Sequence, residues 1–232
     1  MNERFSFTDL ITDFHHDFRS VLNNLVGYVD HLLEGGGGTI TPIQEESLQI
    51  ILKNAQRLKL MADNLARAAR EDEIQLDTSE VFDLRKTAER SLRLYYLGAR
   101  DAGIHLDSTW ESDHLLIQGS ELLIGSLIDN LLSNAIKFTP AGGSVSVHGR
   151  NAGGGVELLV EDTGIGISPE DLPLIFKRGF RGTTAGGGRR DGLGVGLSIC
   201  KEIAEAHGAR IEVTSRVGEG TKVEVIFPAA PF

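Results

Sequence analysis

The chain has 232 residues, 41% of them hydrophobic and 24% charged, which suits one or two globular domains with real cores and argues against disorder. Thirty-three acidic residues against 23 basic ones give a formal net charge of -10, which argues against a general binder of nucleic acid or anionic membrane, so an anionic ligand must be met by local positive charge. A single cysteine, Cys200, no apolar run near the roughly 20 residues that span a bilayer, and a start, Met1-Asn2-Glu3-Arg4, without a signal pattern predict a soluble chain in a reducing cytoplasm, with no direct membrane insertion.

The first predicted element is a helix. Ile11, Phe14, Phe18, Leu22, Leu25, Val29 and Leu32 recur at steps of three and four and share one stripe. At about 100° per residue His15 falls about 60° from Phe18, whereas His16 falls about 160° away, on the polar side. Ser20 shares the face of His16, and Asp17 sets a carboxylate beside it. Gly35-Gly36-Gly37-Gly38 ends this helix at Glu34. Thr41-Pro42-Ile43-Gln44 then starts a second one with a capping box, and its stripe runs Leu48, Ile51, Ala55, Leu58, Ala62, Leu65 and Ala69. Two helices alone bury too little surface, so this antiparallel hairpin is expected to dimerise into a four-helix bundle.

The charged stretch 70–73 reads as a linker, with a new domain starting near Ser79. Strand-like pieces at 81–84, 104–106, 115–117, 145–148, 156–160, 210–213 and 222–227 alternate with helical pieces at 85–99, 121–137 and 193–207. That order predicts an α+β fold, a two-layer α/β sandwich. Glycine-rich patches at 151–155 and 183–188 read as a turn and a mobile loop, and Cys200 as a buried helix position.

Three segments of the second domain invite a ligand. Asn130, Asn134 and Lys137 interrupt an apolar helix at steps of four and three and so share a face. Amide oxygens are hard acceptors suited to Mg²⁺, and the lysine can meet phosphates. Glu161-Asp162-Thr163-Gly164-Ile165-Gly166-Ile167 places a carboxylate at a strand end with two glycines behind it, able to accept a bond from an adenine amino group. Gly192-Leu193-Gly194-Val195-Gly196 opens a helix, where free N–H groups favour a polyphosphate. A Rossmann motif fails on spacing and context, and a P-loop fails because no GK[ST] follows.

In sequence order H-D-F-R, N-L-L-S-N-A-I-K-F-T, E-D-T-G-I-G-I, G-L-G-V-G-L and Gly218-Glu219-Gly220-Thr221, the chain resembles, over nearly its whole length, the dimerisation and catalytic core of two-component sensor histidine kinases. The resemblance implies a dimerisation and histidine phosphotransfer hairpin over residues 1–73 and a Bergerat (GHKL-type) ATP-binding domain over 74–232. It implies His16 as phosphoacceptor, Asn134 as principal Mg²⁺ ligand with Asn130 as its partner, and Lys137 as a phosphate contact. Asp162 becomes the adenine reader beside Gly164 and Gly166, with Gly192, Gly194 and Gly196 in the nucleotide site. Thr221 resembles the residue that supports Asp162 through water. Residues 167–191 become a lid over ATP anchored by Phe176, in which Arg181 stabilises charge on the γ-phosphoryl. His16 would attack as neutral imidazole, Asp17 would hold the ring and take or balance its proton, and the phosphoryl group would pass to an aspartate of a response-regulator receiver domain.

The chain also departs from that pattern: Val21 stands where a proline is usual, Gly179 where a second lid aromatic is common, and Ser20 where threonine or asparagine is usual. The first leaves the family's helix bend at that point, and the helix motions tied to it, without their usual proline; the others imply a looser lid and a weak phosphatase activity. The competing readings are a non-catalytic phosphotransfer or binding module and a GHKL-type ATPase or protein-serine kinase. Retention of Asn134, Asp162 and the glycines argues against the first, and an exposed histidine on a dimerising hairpin against the second.

Overall fold

The computed structural model describes residues 7–70, 80–182 and 194–230, with side chains of the first helix described from Phe18 on. The chain divides into two compact units, Met1–Glu73 and Ile74–Phe232.

The first unit is a helical hairpin of α1 (Phe7–Leu33) and α2 (Pro42–Arg70). The expected capping box is formed: Thr41 N–H donates to Gln44 Oε1 at 2.9 Å, and Gln44 N–H donates to Thr41 Oγ1 at 3.3 Å. Leu22, Val29 and Ala55 are buried between the two helices, as the stripes require. Leu25, Leu32, Ile51 and Leu58, on the same stripes, stay between 37% and 46% exposed.

The second unit runs β1 (Val81–Asp83), α3 (Leu84–Asp101), β2 (His105–Trp110), β3 (Leu116–Gln118), α4 (Glu121–Phe138), β4 (Ser144–Ala152), β5 (Gly155–Asp162), a 3-10 turn at Leu172–Leu174, α5 (Gly196–Ala206), β6 (Arg210–Arg216) and β7 (Gly220–Pro228). Its main sheet has the order β2-β4-β5-β7-β6, with β2 parallel to β4 and the other pairs antiparallel. The parallel pair needs a crossover, and the β3–α4 segment supplies it. β1 and β3 form a separate two-stranded ribbon.

Side chains fix these boundaries. Asp83 caps α3 by accepting Arg85 N–H at 3.1 Å, and Ser120 caps α4 by accepting Leu123 N–H at 3.4 Å. β4 turns into β5 through Gly153-Gly154, both at positive φ, and Arg150 of β4 clasps the buried Glu157 of β5 with bonds of 2.9 and 2.7 Å. Helices α3, α4 and α5 cover one face of the main sheet, enclosing Leu127, Ile128, Leu132, Val145, Val147, Leu158, Ile203 and Val225. The two-layer sandwich is therefore as expected. Several predicted boundaries move: β4, β5, β6 and β7 each run longer than expected, and two other shifts have a local reason. β2 runs on through the polar Asp107, Ser108 and Thr109 because it is an edge strand, and α5 begins at Gly196 rather than at residue 193.

Candidate active site

β5 ends at Asp162, and that carboxylate is held by backbone. Gly164 N–H donates to Asp162 Oδ1 at 2.8 Å, and Thr221 N–H donates to the same oxygen at 3.2 Å. Oδ2 is then the oxygen that a ligand's amino group can use. Thr221 faces Asp162 in the β5–β7 register and reaches it through its own N–H, while its hydroxyl lies 3.0 Å from Ser215 Oγ. This close approach depends on Gly220: at φ +109 it faces the Asp162 carbonyl, which any Cβ would overlap. Ser215 completes the corner by accepting Ile167 N–H at 2.9 Å and donating to the Gly220 carbonyl at 2.6 Å.

The loop after β5 is tied to the helix that carries the polar row. Ile165 N–H donates to the Phe138 carbonyl at the end of α4, at 3.1 Å. One turn earlier Asn134, and Asn130 before it, are half-buried against the start of α5. A Cβ at Gly196 would lie 3.5 Å from Asn130 Oδ1 and 3.8 Å from Asn134 Nδ2. Asn130 Nδ2 donates to the Ser126 carbonyl at 3.0 Å, which directs its Oδ1 as the acceptor toward α5. The structure thus brings together the amide row, the Asp162 corner and the glycine-led N-terminus of α5.

Residues 119–231 match the family described as histidine kinase-, DNA gyrase B-, and HSP90-like ATPase. The chain carries the ATP-binding core of a sensor histidine kinase. The histidine protein kinase DivJ of Caulobacter vibrioides is 30% identical over 221 residues, covering 94% of this chain and 36% of DivJ. The sensor histidine kinase YkoH of Bacillus subtilis is 31% identical over 220 residues, covering 94% of this chain and 46% of YkoH. The chain thus spans less than half the length of these two relatives. Among solved structures, the mycobacterial sensor histidine kinase MprB aligns with 66% of this chain and 99% of that one, at 29% identity and a TM-score of 0.57. Full-length ShkA, crystallised in complex with AMPPNP, aligns with 98% of this chain and 48% of that one, at 25% identity and a TM-score of 0.66.

In this kinase core the segment that leads toward the expected lid is fastened to α5 by contacts that no local motif announces. Phe176 stacks under Lys201 Nζ at 5.7 Å from the ring centre, and Arg178 Nε pairs with Glu202 at 2.8 Å. Gly179 N–H donates to the Gly194 carbonyl at 3.0 Å. Arg181 follows on an exposed position. Gly194 has φ +71, outside the helical region, which is why α5 starts two residues later. Gly192 and residues 183–191 of the expected lid lie outside the described residues. Lys137 is exposed, with its Nζ 5.3 Å from the Phe138 ring centre.

Electrostatics set the site apart within the sandwich. Burial raises the Asp162 carboxyl above its usual range; the bonds from Gly164 and Thr221 N–H pull it back, and the neighbouring Glu161 charge adds to the rise. Cys200 is enclosed on α5 as expected, its thiol pushed up to about 12 by burial and so chemically quiet. In α1 the backbone at His16 and Asp17 is helical, and the side chains of both lie outside the described residues. Ser20 is exposed on the same helix, and Val21, where the usual proline is missing, lies within an uninterrupted α1 and is 63% exposed.

Proposed function

We propose that the chain is an ATP-dependent histidine autokinase that phosphorylates His16 and hands the phosphoryl group to an aspartate of a response-regulator receiver domain. The observation that carries this reading is the convergence of the Asp162 corner with Asn130 and Asn134 at the N-terminus of α5. Asp162 would accept the adenine amino group on Oδ2, the oxygen not used by Gly164 and Thr221. The free N–H groups at the start of α5 would take the phosphates, aided by Lys137 and by Arg181 on the γ-phosphoryl. Thr221 would support the adenine reader by its N–H, and Phe176 would hold the lid root through Lys201.

The donor set suits Mg²⁺: two amide groups on one helix face, Asn130 already oriented by its bond to Ser126 and Asn134 a turn on, with ligand phosphates completing the shell. Bound there, Mg²⁺ would neutralise phosphate charge as the bond to the leaving oxygen breaks. On α1, His16 would attack as neutral imidazole while Asp17 orients the ring and receives its proton or balances the charge left on it. The hairpin would supply a homodimer: Leu25, Leu32, Ile51 and Leu58 are seam positions that α1 and α2 leave partly uncovered, and a second copy would cover them in a four-helix bundle. Ser20 would assist a weak reverse phosphatase reaction. Residues 1–73 and 74–232 would accordingly divide the labour of phosphotransfer and catalysis, in a chain with no described helix long and apolar enough to cross a membrane.

Titration of a fluorescent ATP analogue with Mg²⁺ into the wild-type chain and Asn134→Ala tests the site. Saturable binding that the variant loses is expected, and equal affinity in the two would reject the role of Asn134.

A further inference from the structure

α4 and α5 lie antiparallel, and polar contacts key one to the other along their length. At one end His207, which caps α5, is buried, and its Nε2 accepts Ser120 N–H at 3.0 Å. Its Nδ1 lies 2.7 Å from the Ile203 carbonyl, so the ring donates there and presents Nε2 as acceptor. Seven residues on along α4 and seven back along α5, the Cys200 thiol donates to the Leu127 carbonyl at 3.7 Å. Seven residues is close to two helical turns, so both rungs lie on the same face of each helix. At the far end Gly196 meets Asn130 and Asn134.

We propose that His207 is a positioning residue for the nucleotide site, setting the axial register of α5 on α4 so that the N-terminus of α5 meets the amide row about 16 Å away. The inference rests on the nucleotide-binding reading given above and adds to it a residue that no nucleotide would touch.

Three features make His207 the rung that fixes register. The Cys200 contact is weak, because a thiol is a poor donor, and apolar contacts tolerate small slides. The His207 bond is directional, and its acceptor satisfies one of the orphan N–H groups at the start of α4. Gly119 fits the ring closely: a Cβ at that position would overlap it, so the residue before the α4 cap is shaped to receive the imidazole. A slide of α5 by an ångström or more would strain the Ser120 bond at one end and shift the N–H groups of Gly196 and its neighbours from Asn130 and Asn134 at the other. α4 and α5 are well-packed rods, so the displacement carries from end to end.

Two polar replacements separate the ring's two bonds. Glutamine can set Oε1 near the place of Nε2 and keep the Ser120 bond. Asparagine reaches only as far as Nδ1 and loses it. The full chain should be prepared as wild type, His207→Gln, His207→Asn, Asp162→Asn and Glu157→Gln, the last to weaken the sandwich at the Arg150 clasp between β4 and β5. Each is titrated with a fluorescent ATP analogue and Mg²⁺ and melted in the absence of nucleotide. His207→Asn should bind about tenfold more weakly, with His207→Gln within about twofold of wild type and Glu157→Gln unchanged in affinity despite a lower melting temperature. Equal affinities for the asparagine and glutamine variants would overturn the positioning role, as would a loss in Glu157→Gln matching that in His207→Asn, which would make the effect general instability. Failure of the wild type itself to bind, or undiminished binding by Asp162→Asn, would instead reject the nucleotide reading.

Discussion

The sandwich and the hairpin dispose of their apolar side chains in opposite ways. In the sandwich, Leu127, Ile128, Leu132, Leu158, Ile203 and Val225 are almost wholly enclosed between three helices and one sheet, at roughly 1.5–3 kcal/mol for each large side chain removed from water. In the hairpin, Leu22, Val29 and Ala55 are buried between α1 and α2, while Leu25, Leu32, Ile51 and Leu58 on the same stripes keep more than a third of their surface in water. A single antiparallel pair can cover only one side of each seam. The sandwich therefore encloses its core within one chain, whereas under the proposed function a second copy would complete the hairpin. The proposed nucleotide site sits in the self-sufficient unit, and the proposed acceptor in the one that would gain from a partner.

The sharpest break of this contrast is to charge the seam. Leu25→Glu with Leu58→Glu puts four carboxylates into the bundle of a dimer, costing about 4 kcal/mol or more and weakening association about a thousandfold. Light scattering should then report monomers, with nucleotide affinity unchanged. A dimer that survives, or a loss of nucleotide binding in step with it, would contradict the division between the two units.

Within the sandwich, Asp162→Asn should separate recognition from folding. The amide oxygen can still accept from Gly164 and Thr221, but a donor then faces the adenine amino group, and affinity should fall at least tenfold, about 1.4 kcal/mol. Burial raises the folded carboxyl above its unfolded value, so ionisation disfavours the native state: Asp162 is least costly below its unfolded pKa and costs stability as pH rises through the folded one. The unliganded variant should accordingly melt no lower than wild type at pH 7.5. A drop of several degrees would show that the carboxylate holds the fold.

His207 gives a smaller, opposite pH signature. Burial lowers its pKa below the usual histidine value near 6.5, the Nδ1 bond to the Ile203 carbonyl pulls the other way, and a proton on Nε2 would also remove the acceptor that Ser120 N–H uses. The native state prefers neutral imidazole, so this stability is complete above about pH 6.5 and is lost as pH falls toward the lower folded value. Urea midpoints between pH 7.5 and 5.5 should fall more steeply for wild type than for His207→Gln, which has no proton to bind there. Parallel slopes would reject a buried neutral ring.

What the sequence made legible was local chemistry. The Thr41 and Gln44 capping box, the stripes of α1 and α2, and the row of Asn130 and Asn134 follow from spacing on one element. The long-range partners did not follow. Ser215 joins Ile167 to Gly220, Arg178 pairs with Glu202, and His207 reaches Ser120 across 87 positions. Nothing near either member of these pairs announces the other. β2 outruns its sequence pattern for a related reason: as an edge strand it carries the polar Asp107, Ser108 and Thr109 without a clean alternation. α5 begins later than its sequence pattern suggests because a left-handed Gly194 cannot be told from a helical glycine by composition.

The smallest expected effect is at Ser20. Its hydroxyl keeps the donor and acceptor of threonine without the methyl that restricts rotation, so a water held there is less well positioned. Decay of a phosphorylated receiver domain mixed with ADP should quicken about two- to threefold with Ser20→Thr and slow with Ser20→Ala, changes of well under 1 kcal/mol. Identical rates in all three would leave Ser20 a solvated helix position.

The central claim is that the ATP site serves one histidine on the hairpin. Incubation of the full chain with Mg²⁺ and ATP labelled in the γ-phosphate tests it directly, followed by acid and alkali treatment of the product and by the same assay on His16→Gln and His15→Gln. The account predicts label that is lost in acid and kept in alkali, absent from His16→Gln and largely retained in His15→Gln. Acid-stable label, or label that persists in His16→Gln, would contradict it.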